Sequence, residues 1–346
     1  MSLGLSGIQS LREINPKGAP LSMKPRKLIL TAALVASALL LLPGASLACT
    51  NFLITPGASQ DGSSMISYAA DSHELYGELY HTPARIHPDG AMREIYEWDT
   101  GKYLGKIPEV RQTYAVVGNM NEHQVSVGET TYGGREELQD PKGLIDYGSL
   151  MFIALERART AREAITVMTD LVAEYGYYSS GESFSIADPK EVWILEMIGK
   201  GPGNKGAVWV ARRIPDGFIS AHANQARIRT FPRNDSKNCL FAKDVVSFDK
   251  EKGFFKGDDK DFSFTDAYAP MTCKALRICE ARVWAMFRRA APSRDWKADY
   301  VMCQPKAKPL PLWIKPDRKL RVEDIMAFMR DHFEGTPMDL TKGVGV

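Results

Sequence analysis

"LLPGASLACTNFLITPGASQDGSSM" occupies residues 41–65, and its reading decides the fold. Before Cys49 the stretch is the end of an apolar, signal-like run. After it, Thr50 to Ile54 is a short apolar strand, "TPGASQDG" is turn chemistry, and Ser64 to Ala69 is a second strand. A cysteine thus marks the boundary between a segment built for export and the first strand of a domain.

The upstream side runs "MKPRKLILTAALVASALLLLPGASLA" from Met23. Lys24, Arg26 and Lys27 form a basic start, Leu28 to Leu42 is an apolar run, and Pro43-Gly44 breaks it. Ser46 and Ala48 are small residues at −3 and −1 of a cleavage point before Cys49. This is the pattern of a secretory signal, and the run is shorter than the roughly 20 apolar residues of a membrane span. The expected organisation is a tail or mis-assigned start at 1–22, a signal peptide at 23–48, and one domain at 49–346. The product is expected outside the cytoplasm, periplasmic or released. An uncleaved anchor, a lipidated Cys49 and a disulfide at Cys49 are the competing readings. Ser46 at −3, where a lipobox wants Leu, counts against lipidation.

Cleavage changes the charge balance. The chain has 44 Lys+Arg and 42 Asp+Glu, net +2. Residues 1–48 hold five basic side chains (Arg12, Lys17, Lys24, Arg26, Lys27) and one acidic (Glu13). The remainder has 44 − 5 = 39 basic and 42 − 1 = 41 acidic groups, net −2. No basic excess recruits nucleic acid or, once the signal is gone, an anionic membrane. The remainder is long enough to bury a large core. Cys239, Cys273, Cys279 and Cys303 cluster in the last third, and in an oxidising compartment one or two disulfides are expected, with the pairing open. The histidines show no ligand spacing, so neither a metal nor another cofactor is expected.

Cleavage before Cys49 leaves its thiol beside its own α-amine. A thiol is a strong nucleophile once ionised, and an α-amine with a pKa of roughly 7.7–8.0 can take its proton near neutral pH. That is the logic of an N-terminal-nucleophile hydrolase acting on an amide. The hairpin after Cys49 returns Asp71 ("ADSHE") to a place where a carboxylate can orient the amine.

The stretch "CTNFLITPGASQDGSSMISYAADSHELYG" (49–77) resembles the dipeptidase A and secernin family of cysteine peptidases. The resemblance continues through "GNMNEHQVSVGETTYGGR" (118–135), "LERARTAREAI" (155–165), "YGYYSSGESFSIADPKEVWILEMIGKG" (175–201), "ISAHANQARIRTFP" (219–232) and "DHFEGTPMDLTKGVGV" (331–346). It covers essentially all of 49–346. It implies a four-layer αββα sandwich of the N-terminal-nucleophile type with insertions, Cys49 as nucleophile, hydrolysis of dipeptides or short peptides, and no metal. Penicillin V acylases and bile salt hydrolases are similar at greater distance. Asn224 in "SAHANQARI" matches an Asn of their site. Thr131 stands where they carry a second Asn, and Tyr68 where they carry an Arg. With that cation gone, Arg282 or Arg277 is the candidate to replace it, and Arg277 reads better as a solvated helix charge. Asp71 or Glu129 is expected to take a substrate amine and Arg227 its carboxylate. Family chains continue past "TKGVGV", so a truncated C-terminus is expected. The alternatives are an N-acyl amide hydrolase and a non-catalytic surface protein. An oligomer is compatible with the sequence.

Elsewhere the pattern is of hairpins with helices between, an α+β fold of stacked antiparallel sheets. Strands are expected at Tyr114–Val117 and Val125–Thr131, at Ser183–Ala187 and Val192–Met197, and at Val208–Arg212 paired with Gly217–His222. Helices are expected at Gly148–Arg157, Ala161–Glu174, Lys274–Ala290 and Val322–His332, with loops at 249–264 and 304–319.

Overall fold

The computed structural model describes residues 48–71 and 76–342. The expected tail, the body of the signal peptide and the Gly-Val-Gly-Val end lie outside the described residues.

The fold is mixed α and β with antiparallel sheets. Strand Ala48–Ile54 lies inside a five-stranded sheet, between Ile219–His222 on one side and Met65–Ile66 with Ala69–Asp71 on the other. Trp313–Ile314 extends this sheet beyond Ile219–His222. An eight-stranded sheet is built on Ser126–Gly133, Gly181–Ala187, Val192–Gly199 and Ala207–Arg213. Two two-stranded sheets stand apart: the hairpin Met92–Tyr96 with Tyr103–Pro108, and the pair Arg85–Ile86 with Gln112–Thr113 that brackets it in sequence.

Both faces of Ala48–Ile54 are covered, which is why it reads as a continuous apolar run. Phe52 and Ile54 pack with Ile219 and Ala221 against Val283, Met286 and Phe287 of helix Ala281–Ala290. Leu53 packs with Ile194, Ile198, Val208 and Val210 of the larger sheet. Strand alternation then aims Cys49 and Asn51 the same way as Leu53. The Asn51 side chain meets Ser185 Oγ of the larger sheet at 3.0 Å. On that sheet's other face, Leu150, Ile153 and Ala154 of helix Tyr147–Arg157 and Ile165, Met168 and Val172 of helix Ala161–Tyr175 pack against Phe184, Ile186 and Trp193. Asp146 caps the first helix through Gly148 N and Ser149 N, and Thr160 caps the second through Glu163 N.

The hairpin after Cys49, the pair Gly181–Ala187 with Val192–Gly199, and the two central helices stand where the sequence places them. Three expectations are corrected. Ala207–Arg213 and Ile219–His222 are consecutive but unpaired: the first pairs Val192–Gly199 and the second crosses to the Cys49 strand. The loop expected from residue 249 begins inside helix Val245–Lys252, which Gly253 ends in the left-handed conformation (φ 67°). The last long helix is interrupted by a π-turn at Leu276–Glu280. Of the cysteines, Cys273 and Cys303 form a disulfide with Cα atoms 5.4 Å apart, while Cys239 and Cys279 are free and buried.

Candidate active site

Cys49 is the second residue of its strand and is buried at 6 % exposure. Its main-chain N–H donates to Asn224 Oδ1 at 2.6 Å. Asn224 lies just past strand Ile219–His222, the direct neighbour of the Cys49 strand. Its φ of 53° is left-handed, a conformation that Asn tolerates better than most residues. That turn brings the carboxamide to the Cys49 nitrogen and lets Nδ2 donate to the Thr131 carbonyl at 2.7 Å. One Asn224 side chain therefore ties the Cys49 strand to the larger sheet.

Arg282 arrives from the helix that follows the π-turn. Its guanidinium donates to the Cys49 carbonyl, to Thr50 Oγ1 at 2.9 Å, to Asn224 Oδ1 at 3.0 Å and to the Ala223 carbonyl at 3.2 Å. A planar, permanently charged fork serves these separate acceptors in a way a lysine cannot. The extra residue of a π-turn rotates the helix downstream of it, and such turns recur at functional sites. Here it separates Glu280, which pairs with Arg227, from Arg282, which faces Cys49.

Burial pushes the Cys49 thiol up to about 11. The charge of Glu129 adds to the rise, and a hydrogen bond from Asn224 and the main chain of Asp71 oppose it. A thiol so placed is protonated near neutral pH while Ala48 remains attached and the nitrogen is an amide.

Glu129 is 1 % exposed, and Tyr68 Oη donates to its Oε1 at 2.8 Å. Thr131 points its hydroxyl to Glu182 Oε1 at 2.8 Å. Glu182, also 1 % exposed, lies within hydrogen-bonding reach of Glu129. His222 is fully buried between Thr130 Oγ1 and Ser185 Oγ, 2.7 Å from each, and burial drives its pKa down to about 3. It is a neutral pin between the two sheets.

The expected residues fall into two groups. Cys49, Asn224, Thr131 and Arg282 are brought together by direct hydrogen bonds, and Tyr68 and Glu129 join them at one side. Asp71 pairs in register with Ala48 and is exposed, and the bond of the Cys49 nitrogen goes to Asn224 rather than to the Asp71 carboxylate. Arg227 is not presented to a substrate. Its buried guanidinium pairs with Glu280 at 2.8 Å and donates to the carbonyls of Ala221, Pro311 and Leu312. It ties helix, strand and extended segment together. Glu182 and His222 were missed by the sequence reading. The available signal was a carboxylate inside the apolar strand "GESFSIA", where burial demands a partner. A cavity of about 750 Å³ lies alongside, lined by Met65, Met120, Ile325 and Met326, and Tyr68 borders it.

The model of peptidase family C69 matches residues 48–345. Similar proteins include a probable dipeptidase of Salmonella dublin, 27 % identical over 321 residues, covering 86 % of this chain and 69 % of the relative. Another is a probable dipeptidase of Latilactobacillus sakei, 28 % identical over 312 residues, covering 84 % and 62 %. A dipeptidase of Bifidobacterium longum is 26 % identical over 333 residues, covering 85 % and 60 %. The chain spans 60–69 % of the length of these three relatives. With a match along nearly all the described residues, the chain belongs to peptidase family C69, the dipeptidase A family of cysteine peptidases.

Proposed function

We propose that the exported chain, released by cleavage before Cys49, hydrolyses dipeptides or short peptides with the Cys49 thiol as nucleophile and its own α-amine as base. The observation that carries this reading is the convergence of Asn224 and Arg282 on the main chain of Cys49 rather than on its side chain alone. A structural cysteine needs no such hold on its nitrogen. A nitrogen that is to become a catalytic base does. The dipeptidase names of the relatives support the substrate class. Two sheets bridged through His222, Asn51 and Asn224, with helices on their outer faces, support a four-layer αββα sandwich of the N-terminal-nucleophile type.

In this reading the free amine takes the thiol proton and the thiolate attacks the scissile carbonyl. The C–N bond breaks, the amine's proton passes to the departing amino group, and a thioester remains on Cys49. Water, deprotonated by the same amine, then releases the acid. Asn224 holds the amine through Oδ1. Its Nδ2 has two donors and Thr131 uses one, which leaves the other for the developing oxyanion. Arg282 adds a positive charge behind the nucleophile.

The test is to purify the exported protein, establish by intact mass that it begins at unmodified Cys49, and assay a dipeptide panel beside penicillin V. Dipeptide cleavage abolished by Cys49→Ser is expected. A blocked or acylated Cys49, or cleavage of penicillin V alone, would overturn the reading.

A further inference from the structure

Arg227 and Glu280 form an ion pair at 2.8 Å with both side chains 2 % exposed. Stability alone is a weak reason for such a pair. Desolvation of two charges offsets most of their attraction, and apolar side chains of similar volume hold a core as well. What distinguishes this pair is where its two ends are anchored.

Glu280 is the last residue of the π-turn Leu276–Glu280. Arg282 stands two residues on, about 200° around the helix, so Glu280 meets Arg227 while Arg282 meets Cys49. Arg282 Nε donates to the Ile278 carbonyl, inside the same turn, at 2.9 Å. Its Nη groups are then left for Cys49, Thr50, Ala223 and Asn224. Holding Glu280 therefore fixes the rotation of the turn that aims Arg282. A rotation of about 10° carries a side-chain tip about 6 Å from the helix axis by about 1 Å. A misplacement of that size can cost about 10²-fold in rate.

Arg227 closes the loop that carries Asn224. Its Nη1 donates to the Ala221 carbonyl at 2.9 Å, at one foot of the loop. Its main-chain N–H donates to Glu196 Oε1 at 2.6 Å, at the other foot. Between these feet Asn224 keeps its left-handed φ of 53°, a conformation that persists only where the surroundings impose it. The carbonyls of Pro311 and Leu312 take two further bonds from the guanidinium. One buried guanidinium is thus fixed to the Asn224 loop on one side and to the Arg282 turn on the other.

We infer that Arg227 and Glu280 are positioning residues for the reaction at Cys49: the pair sets Asn224 and Arg282 relative to each other and touches no substrate itself. This rests on the peptidase reading above and names what holds its site together. Asn224 and Arg282 both bond the main chain of Cys49, so the pair acts on the chemical step, and its effect falls on kcat rather than KM.

The experiment compares the chain beginning at Cys49 with its Arg227→Lys variant. Lysine keeps a charge opposite Glu280, but one ammonium cannot serve Glu280, Ala221 and Pro311 as a planar fork does. Two readouts are taken on folded protein. One is kcat and KM for Ala-Leu. The other is iodoacetamide labelling of Cys49 at pH 7 relative to Cys239, read by peptide mass spectrometry. A fall in kcat of at least about tenfold, with KM held within about twofold, is expected. The Asn224 hydrogen bond lowers the Cys49 thiol, so its displacement is expected to slow labelling of Cys49 at least about threefold and leave Cys239 unchanged. A variant less stable to urea yet equal to the parent in both readouts overturns the inference and leaves the peptidase reading standing. A loss confined to KM, or equal slowing at both cysteines, does the same. A parent that cleaves no dipeptide overturns the peptidase reading, and the labelling rates then decide the positioning role by themselves. If Arg227→Lys does not fold, the double replacement Arg227→Met with Glu280→Leu, which removes both buried charges, takes its place with the same outcomes.

Discussion

Asn224 Oδ1 accepts from the Cys49 nitrogen at 2.6 Å and from Arg282 Nη2 at 3.0 Å, so one amide oxygen orients both the main chain of Cys49 and the guanidinium beside it. Removing either partner should damage chemistry more than folding. Asn224→Ala is expected to lower kcat for dipeptides by about 10²–10³-fold, the range for losing an oxyanion donor, with a much smaller change in KM. Arg282→Lys keeps the charge but cannot serve Cys49 O, Thr50 and Asn224 together. A fall of roughly tenfold in kcat/KM is expected, about 1.4 kcal/mol. Steady-state kinetics on the released chain check both, and an Arg282→Lys enzyme equal to wild type would remove Arg282 from the site.

The Cys49 thiol should change character on release from Ala48. With the nitrogen an amide, the thiol is held near 11 by burial and by Glu129. Its alkylation should rise through the alkaline range as the thiolate fraction grows. Once the nitrogen is an ammonium, a positive charge adjoins the sulfur and the thiolate forms at lower pH. Iodoacetamide labelling at pH 7, followed by peptide mass spectrometry, is expected to be at least about tenfold faster at Cys49 in the released chain. Cys239, also held up at about 11 by burial, is the internal control. Equal rates in the two forms would argue against the amine as base.

His222 should make the fold acid-sensitive. Its pKa is about 3 in the folded chain against an ordinary 6.5, because burial, with the charge of Arg227, disfavours the imidazolium. A depressed base binds fewer protons folded than unfolded. Its contribution is therefore complete above pH 6.5 and is lost as pH falls toward 3. Each pH unit in that window costs on the order of 1 kcal/mol. Glu196, pushed up to about 7 by burial, acts in the opposite sense and loses stability as pH rises from 4.5 to 7. Urea midpoints at pH 7 and pH 5 should therefore be compared between wild type and His222→Gln, whose amide also reaches Thr130 and Ser185. Because Glu196 is then unopposed, the variant is expected to gain stability relative to wild type on going from pH 7 to pH 5; a pH dependence equal to wild type would show that His222 does not titrate with unfolding.

Reduction of Cys273–Cys303 should loosen the segment that begins the Arg282 helix. The bridge closes a separation of 30 residues, for which the chain-entropy account gives about 3–4 kcal/mol. Cys273→Ser with Cys303→Ser is expected to lower the urea midpoint by a matching amount. Restoration of full activity at low temperature would indicate a purely stabilising bridge. Lasting loss of activity in the folded variant would place the bridge among the elements that aim Arg282.

Much of this protein is legible locally. The turn signals between Thr55 and Gly62 and the apolar runs beside them specify the hairpin that follows Cys49. Helix Ala161–Tyr175 follows from a stripe at Ala164, Ile165, Met168, Leu171 and Val172, all buried. Ala207–Arg213 and Ile219–His222 misled because short range favours pairing neighbours, whereas sending the second strand across supplies the main-chain hydrogen bonds along one edge of the Cys49 strand. Arg227 misled because it shares a motif with Asn224 yet points to the buried Glu280.

By itself the sequence determined most of the elements and drew attention to Cys49, because turn chemistry, apolar period and the residues around Cys49 act over a few neighbours. Only the tertiary structure decided which distant side chains meet it. Asn224 is 175 residues from Cys49 and Arg282 is 233, and Glu129 finds Glu182 only through strand register. Those meetings depend on how two sheets and a π-turned helix bury their apolar faces, and burial is a property of the whole chain.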